Sequence, residues 1–411
     1  MPISARQYTL IVVLLTTIVL AAAAAGWLAR WRGNDLYSAT ELAIALQRSD
    51  GLASTLAVSY PAFKKALYDV RQPDVVVVGS SRGMQFRQSA FRKPFTNLGG
   101  GETTPDYGFA LLDTVFAKHA PKLLLYAIDY FAYRPTVEEL VERPVTLPPA
   151  AQQLSLNSIF LVYRLYAEGY LNARQLARLV GLAPLPAAPL PVYGMTASVN
   201  FLGGDGADGS SYIVGTMQNI FSHPAAQRFK EALDCLDKLG PCTGPMRSAT
   251  TYDKRRVAQL NRLLAEFKAR GIHVVPFLAP LPPSILQAMQ RNGSYGYLDQ
   301  FRVVMKTNTP EIYDMTDIEN LGASDCEFYD PTHAGEIANL RVMLKLSERD
   351  SMLAEYLDAD AIHRSIANYG GTIIAVSDGP TRALAPMIDD YRDRDVCRAT
   401  LFRGQSKPFA R

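Results

Sequence analysis

The sequence predicts an α/β protein of three layers, α/β/α, in which an open parallel sheet is covered by helices on both faces and preceded by one membrane-crossing helix. Short, wholly apolar runs such as VVVV at 75–78 and LLLYAI at 123–128 alternate with helical patterns that are apolar on one side. Strands apolar on both faces belong to buried parallel sheets, and their alternation with amphipathic helices is the mark of that architecture. The third observation lies at the amino terminus, where Gln7 to Ala29 carries no charge.

That uncharged run is about 23 residues, roughly 34 Å as a helix, which spans a bilayer core. Trp27 suits an interfacial position. The competing reading is a cleaved signal peptide, because Arg6, an apolar stretch and the small residues Ala21 to Ala25 also fit that description. Arg6 and the amino terminus on one side face Arg30 and Arg32 on the other, so flanking charge does not set the orientation. The reading adopted puts a short tail inside and the large domain outside: residues 1–32 form the anchor (or signal sequence) and 33–411 the exported domain.

After an amphipathic stretch around Ala39 to Leu67, the first clear strand is Asp74 to Val78, ended by Gly79. A second strand is expected at Thr96 to Leu98, before Gly99, Gly100 and Gly101. Thr104 and Pro105 then fit the N-cap and first position of a helix running to about His119. Lys122 to Ile128 forms the next strand. A helix from Asp253 to Ala269 presents Val257, Leu260, Leu264 and Phe267 at helical spacing, stops at Gly271 and feeds a strand at His273 to Leu278. A further strand fits Glu311 to Met315. Between about 135 and 250 the pattern breaks into proline-rich and glycine-rich segments, an insertion of the size that often forms a lid or docking surface. Residues from about 349 to 411 are a C-terminal extension with a candidate strand at Thr372 to Val376.

The 411 residues are 48% hydrophobic and 20% charged, which excludes a disordered chain. Lys+Arg 42 against Asp+Glu 39 leaves a net charge of +3, too balanced for a nucleic-acid footprint. The cysteines are Cys235, Cys242, Cys326 and Cys397. An exported domain permits bridges, and Cys235 with Cys242 would close a short loop, leaving Cys326 with Cys397; this is one of three connectivities, beside the reading of four buried thiols. Nothing has metal-ligand spacing, and no cofactor is expected.

Three separated segments share a chemical logic. In VVVVGSSRG a buried strand ends at Gly79 and delivers Ser80 and Ser81 to the sheet's carboxyl edge, where ligands of open α/β sheets bind. In NLGGGETTPD the glycines allow backbone N–H groups to face an oxyanion. In FYDPTHAGE, Asp330 and His333 lie close enough for the carboxylate to orient the imidazole, which could then take the proton of a serine hydroxyl.

In this order the motifs resemble the SGNH (GDSL-like) hydrolase superfamily, whose fold is a flavodoxin-like three-layer sheet. VVVVGSSRGMQF, FTNLGGGETTPDY, LLLYAIDYF and IYDMTDIENLGASDCEFYDPTHAGE are more narrowly similar to the membrane-anchored SGNH-like proteins of cell-envelope polysaccharide modification, the group of DltD and the alginate acetylation proteins. The likeness covers about residues 70–134 and 250–346. It implies Ser81 as nucleophile, His333 as base and Asp330 as acid, with oxyanion donors from the Ser81 amide and from Gly101, or from Gly100 if the motif is offset by one. It also implies acetyl groups on an exported polysaccharide, a multipass membrane acyltransferase as partner, and a bacterial inner-membrane protein with its main domain in the periplasm. The sequence departs from the superfamily at the third strand, where an asparagine donor usually stands and Asp129 is found. An ionised carboxylate accepts hydrogen bonds but donates none, and one lost oxyanion donor costs about 2.7 to 4 kcal/mol in activation free energy.

Two functions therefore stand. One is an envelope-side serine acyltransferase or esterase; the other is a noncatalytic SGNH-like scaffold of a polysaccharide modification or export complex. Arg82 and Arg87 read either as contacts to a polysaccharide or anionic group or as solvated side chains. Asp129 and Tyr130 are candidate substrate contacts at the same edge. Tyr126, Tyr130, Phe131 and Tyr133 read equally as a sugar-stacking platform or as alternate core positions.

Overall fold

The computed structural model describes residues 4–54, 60–101, 104–135, 159–169, 171–188, 190–200, 203–213, 225–238, 242–306, 311–377, 380–382 and 385–386. Among these the strands, in chain order, are β1 (Leu52–Ala53), β2 (Val75–Val78), β3 (Phe95–Asn97), β4 (Leu123–Ile128), β5 (Val192–Tyr193), β6 (Gly204–Asp205), β7 (Ser211–Tyr212), β8 (His273–Leu278) and β9 (Tyr313–Asp314). The protein is a mixed α/β chain divided into two units, Met1–Ala66 with Pro148–Ala207 and Leu67–Leu147 with Asp208–Arg411. Part of the segment read as an insertion, 148–207, thus belongs with the amino-terminal residues.

In the second unit the sheet order is β3-β2-β4-β8-β9. All four neighbouring pairs are parallel, with Val75 opposite Phe95 and Leu123, Leu123 opposite His273, and Phe277 opposite Tyr313. Counted by order of appearance this is 2-1-3-4-5, a doubly wound sheet whose switch point lies between β2 and β4. Every residue of β2 and β4 is buried. Val76, Val78, Leu124, Tyr126 and Ile128 point to one face, where they pack with Leu111 and Leu112 of helix Pro105–Thr114 and with Leu260, Leu264 and Phe267 of helix Lys254–Ala269. Those two helices come close at Gly108, where a Cβ would lie 2.3 Å from the Leu263 side chain. Val75, Val77, Leu123, Leu125 and Ala127 alternate to the other face, and all five are buried.

Several boundaries differ from the sequence reading. The helix after the glycine cluster ends at Thr114 rather than near His119. Thr372–Val376 is not a strand. Ile373, Ile374 and Ala375 are fully buried in irregular backbone, and the Ala375 amide donates to Glu336 at 3.1 Å, so buried apolar character there reflects support for a helix N-terminus rather than sheet pairing. Cys235 and Cys242 form a disulfide with a Cα–Cα distance of 5.7 Å. Cys326 is also disulfide-bonded, and Cys397 lies outside the described residues.

The first unit begins with helix Ala5–Arg32, 28 residues with a mean hydropathy of 2.4 in its most apolar window, long and apolar enough to cross a membrane. Its last turns bury Gly26, Ala29 and Arg30. Ala29 joins a cluster with Leu161, Val162, Leu165, Leu171, Leu179, Met195 and Val199. In the same unit β1 pairs parallel with β5 and antiparallel with β6.

Gly79 at the end of β2 has φ +153°, and a Cβ there would lie 2.7 Å from the Ala127 carbonyl oxygen of β4. Gly79→Ala is expected to lower the unfolding free energy by about 1–3 kcal/mol through backbone strain, measured by urea denaturation of the purified full-length protein.

Candidate active site

The carboxyl ends of β2, β3, β4 and β8 supply the parts of one site. After β2 and Gly79 the chain makes a single 3-10 turn, Ser81–Gly83, whose N-cap is Ser80; the Ser80 hydroxyl accepts from the Arg82 amide at 3.1 Å. Ser80 is thereby buried and spent on the turn, while the next side chain, Ser81, is exposed. The turn is held from beside by Asn97 at the end of β3. Its side-chain amide donates to the Gly83 and Phe86 carbonyls, both at 2.9 Å, and its Oδ1 accepts from the Gly99 amide at 2.8 Å.

Asp330, Pro331, Thr332 and His333 form a tight loop before helix Glu336–Ser347. Asp330 Oδ1 accepts from the amides of Thr332 at 2.8 Å and His333 at 3.0 Å. Aspartate followed by proline favours this local turn, because the carboxylate satisfies nearby N–H groups and the ring presets φ. Asp330 Oδ2 lies 2.6 Å from His333 Nδ1, and His333 Nε2 lies 2.7 Å from Ser81 Oγ across 252 residues of sequence. With Nδ1–H donating to the carboxylate, Nε2 is left to accept from the serine hydroxyl. Burial pushes the Asp330 carboxyl up, but hydrogen bonds and charge from His333 and the Thr332 contacts outweigh it and bring the pKa down to about 2. The aspartate therefore remains an anion opposite the imidazole.

The glycine loop is tied to the serine turn through its backbone. The Gly100 amide donates to the carbonyls of Gly79 at 3.1 Å and Ser80 at 3.0 Å, and the Gly99 amide is held by Asn97. Gly100 is therefore not a free oxyanion donor, although its φ of +94° explains why a glycine stands there. Among the described residues the Ser81 and Gly101 amides carry no hydrogen bond. A Cβ on Gly101 would lie 2.2 Å from the Tyr107 ring, so the approach requires glycine.

Arg82 does not face solvent. It is 2% exposed, and its guanidinium donates to the Thr332 carbonyl at 2.9 Å, the Ala279 carbonyl at 2.9 Å, the Pro280 carbonyl and Asp129 Oδ1 at 3.2 Å. Asp129, at the end of β4, is 1% exposed, and its Oδ2 has no hydrogen-bond partner among the described residues. Burial pushes its carboxyl up while Arg82 pulls it down. Tyr130 is fully buried, its ring 5.5 Å from the Arg82 guanidinium and 6.3 Å from the Tyr297 ring. The three candidate substrate contacts are thus interior groups beneath the site. Arg87 is likewise buried in an ion pair with Glu336 at 3.0 Å. Tyr126 and Tyr133 are core residues, and Phe131 alone of the four aromatics is half-exposed.

Sequence reasoning missed the organising roles of Arg82, Asn97 and Thr332. An arginine directly after the exposed serine gives no sign of whether it turns inward. Asn97 was legible as part of a motif but not as the clamp on the turn. No family model, curated protein or solved structure matches the chain. The class that fold and geometry define is an α/β protein with a serine–histidine–aspartate array at the carboxyl edge of a parallel sheet.

Asp330→Asn is expected to slow modification of Ser81 by a serine-directed reagent by about 10²–10⁴-fold, the scale of losing imidazole orientation. Because the folded carboxyl titrates below its ordinary value, its stabilisation is complete above about pH 4 and is lost as the pH falls toward about 2. Urea denaturation across that window is expected to show the stability difference between the native chain and Asp330→Asn shrinking with acid.

Proposed function

We propose that this protein is a membrane-anchored, envelope-side serine acyltransferase or esterase of SGNH type, acting on O-acyl groups, acetyl above all, of a cell-surface or exported polysaccharide. The observation that carries the reading is the continuous array Ser81 Oγ, His333 Nε2, His333 Nδ1, Asp330 Oδ2, with contacts of 2.7 and 2.6 Å. Its support extends to the doubly wound strand order and to the Ser81 and Gly101 amides, which carry no hydrogen bond among the described residues.

In the proposed reaction Ser81 Oγ attacks the acyl carbonyl carbon as His333 Nε2 takes the hydroxyl proton. The oxyanion is held by the Ser81 and Gly101 N–H groups. Collapse breaks the ester C–O bond, and His333 returns the proton to the leaving alkoxide. A sugar hydroxyl or water then bonds to the acyl carbon as its proton passes to His333, and collapse breaks the bond to Ser81 Oγ, which takes that proton back from His333. Asp330 stabilises the imidazolium in both halves without itself being protonated. In this reading a membrane anchor keeps the serine beside a membrane-borne acyl donor, with a multipass acyltransferase as partner and the periplasm as the working compartment.

A noncatalytic scaffold is the second reading, favoured by Asp129. Buried and paired with Arg82, it supplies no third oxyanion donor where the superfamily usually offers an asparagine.

A fluorophosphonate probe with the full-length protein in detergent separates the two. Labelling is expected on Ser81, identified by peptide mass spectrometry, absent in Ser81→Ala and reduced at least about 10³-fold in His333→Ala. A folded native chain that takes no label would favour the scaffold.

A further inference from the structure

Helix Ala5–Arg32 extends beyond a bilayer core, and protein occupies its outer end. Tyr8 and Trp27 stand roughly 28 Å apart along it at 1.5 Å per residue, close to the ~30 Å hydrocarbon thickness, as aromatic residues at two interfaces do. Between them Leu10, Ile11, Val12, Val13, Leu14 and the apolar residues up to Leu20 are exposed.

Within the same structural unit, the segment 159–163, Ile-Phe-Leu-Val-Tyr, meets the helix on the membrane side of Trp27. The Tyr163 hydroxyl donates to the Ala22 carbonyl at 2.9 Å. The Ile159 carbonyl oxygen is so near Gly26 that a Cβ there would lie 2.1 Å from it. Ala22 is about 7–8 Å inward of Trp27 along the helix. The run Ala21 to Gly26 therefore has a structural use: small residues let a second segment approach a membrane helix closely. A hydroxyl at that depth, short of water, takes a backbone carbonyl. Farther out, Arg32 Nε donates to the Arg178 carbonyl at 3.2 Å and holds the turn that carries Leu182. Leu182 is 82% exposed, Trp31 63% and Tyr166 44%.

We propose that this unit rests on the lipid surface through an interfacial collar. Residues 159–163 enter the boundary between acyl chains and headgroups beside Ala22 to Gly26, while Trp31, Tyr166 and Leu182 lie among the headgroups of that leaflet. The occupant is lipid because the uncovered side chains continue the exposed apolar face of the helix itself. On the collar Arg164 pairs with Glu168 at 3.7 Å, and Arg174 is exposed, a cation that suits anionic headgroups. The collar rests on the anchor reading and adds to it: the chain is held by a platform as well as a single helix, which limits tilt and fixes the height of this unit.

The test uses the full-length protein in nanodiscs of phosphatidylcholine and phosphatidylglycerol. The described residues contain no free cysteine, so nitroxide goes onto Leu15→Cys, Phe160→Cys and Leu182→Cys in turn. Accessibility to oxygen, which partitions into lipid, is compared with that to a water-soluble nickel chelate. Leu15 is expected deep in the core, Phe160 to favour oxygen, and Leu182 to fall at headgroup depth. Positions 160 and 182 open to the chelate, or shielded from both reagents, would overturn the collar while a deep Leu15 kept the anchor; an aqueous Leu15 would remove both. The chain has 2 tryptophans, Trp27 and Trp31, so Trp27→Phe leaves Trp31 as a second reporter that does not alter residues 159–182. Its emission is expected to fall in nanodiscs whose lipids carry bromine near the headgroup, and unchanged emission would overturn the collar independently.

Discussion

The buried guanidinium of Arg82 is the interaction on which the site depends. It follows Ser81 directly in sequence, yet it gathers groups from three other places: Asp129 after β4, the Ala279 and Pro280 carbonyls after β8, and the Thr332 carbonyl next to His333. A parallel sheet leaves its carboxyl ends as separate loops with no hydrogen-bond ladder between them. One planar cation with five donors in a fixed fork can join several of them at once, which an ammonium cannot do with the same geometry. Removing one partner of such a buried pair typically costs about 3–5 kcal/mol, because the remaining charge stays buried. The 2.7 Å contact between Ser81 and His333 is thus the outer consequence of a fixed interior.

The same economy runs through the other polar groups at this edge. Asn97 uses both amide hydrogens and its oxygen to clamp the serine turn against the glycine loop. Gly100 closes onto Gly79 and Ser80, and among the described residues the next amide, Gly101, carries no hydrogen bond. Ser81 offers an exposed hydroxyl to His333, while Asn97, Gly99 and Gly100 around it are engaged in holding the turn.

How much was readable in advance follows from how local each signal is. The strands at 75–78 and 123–128 are continuous apolar runs and 274–278 is another after the exposed His273, so their existence, though not their register, is a local signal. Ser81, Asp330 and His333 were legible because a strand, a glycine turn and an Asp-Pro-Thr-His loop each announce themselves over a few residues. Arg82, Asp129 and Tyr130 were placed on the substrate side because sequence shows that they sit at the edge but not whether they turn outward or beneath it. Thr372–Val376 failed for the related reason that a buried apolar run can serve packing without pairing. The association of 148–207 with the amino-terminal unit depends on contacts far apart in the chain, and composition carries no trace of them.

Asp129 and Arg82 are best understood as one coupled feature. A buried arginine beneath the nucleophile requires a nearby anion, and the end of β4 is where that anion can reach it, at 3.2 Å. An asparagine at 129 would offer a donor but leave the guanidinium with neutral acceptors alone, the Thr332, Ala279 and Pro280 carbonyls among them. In the proposed reaction the oxyanion would then rest on the Ser81 and Gly101 amides. The same guanidinium ties the imidazole loop to the Ser81 turn through the Thr332 carbonyl at 2.9 Å, so the charge balance at 129 and the placing of His333 meet in one side chain.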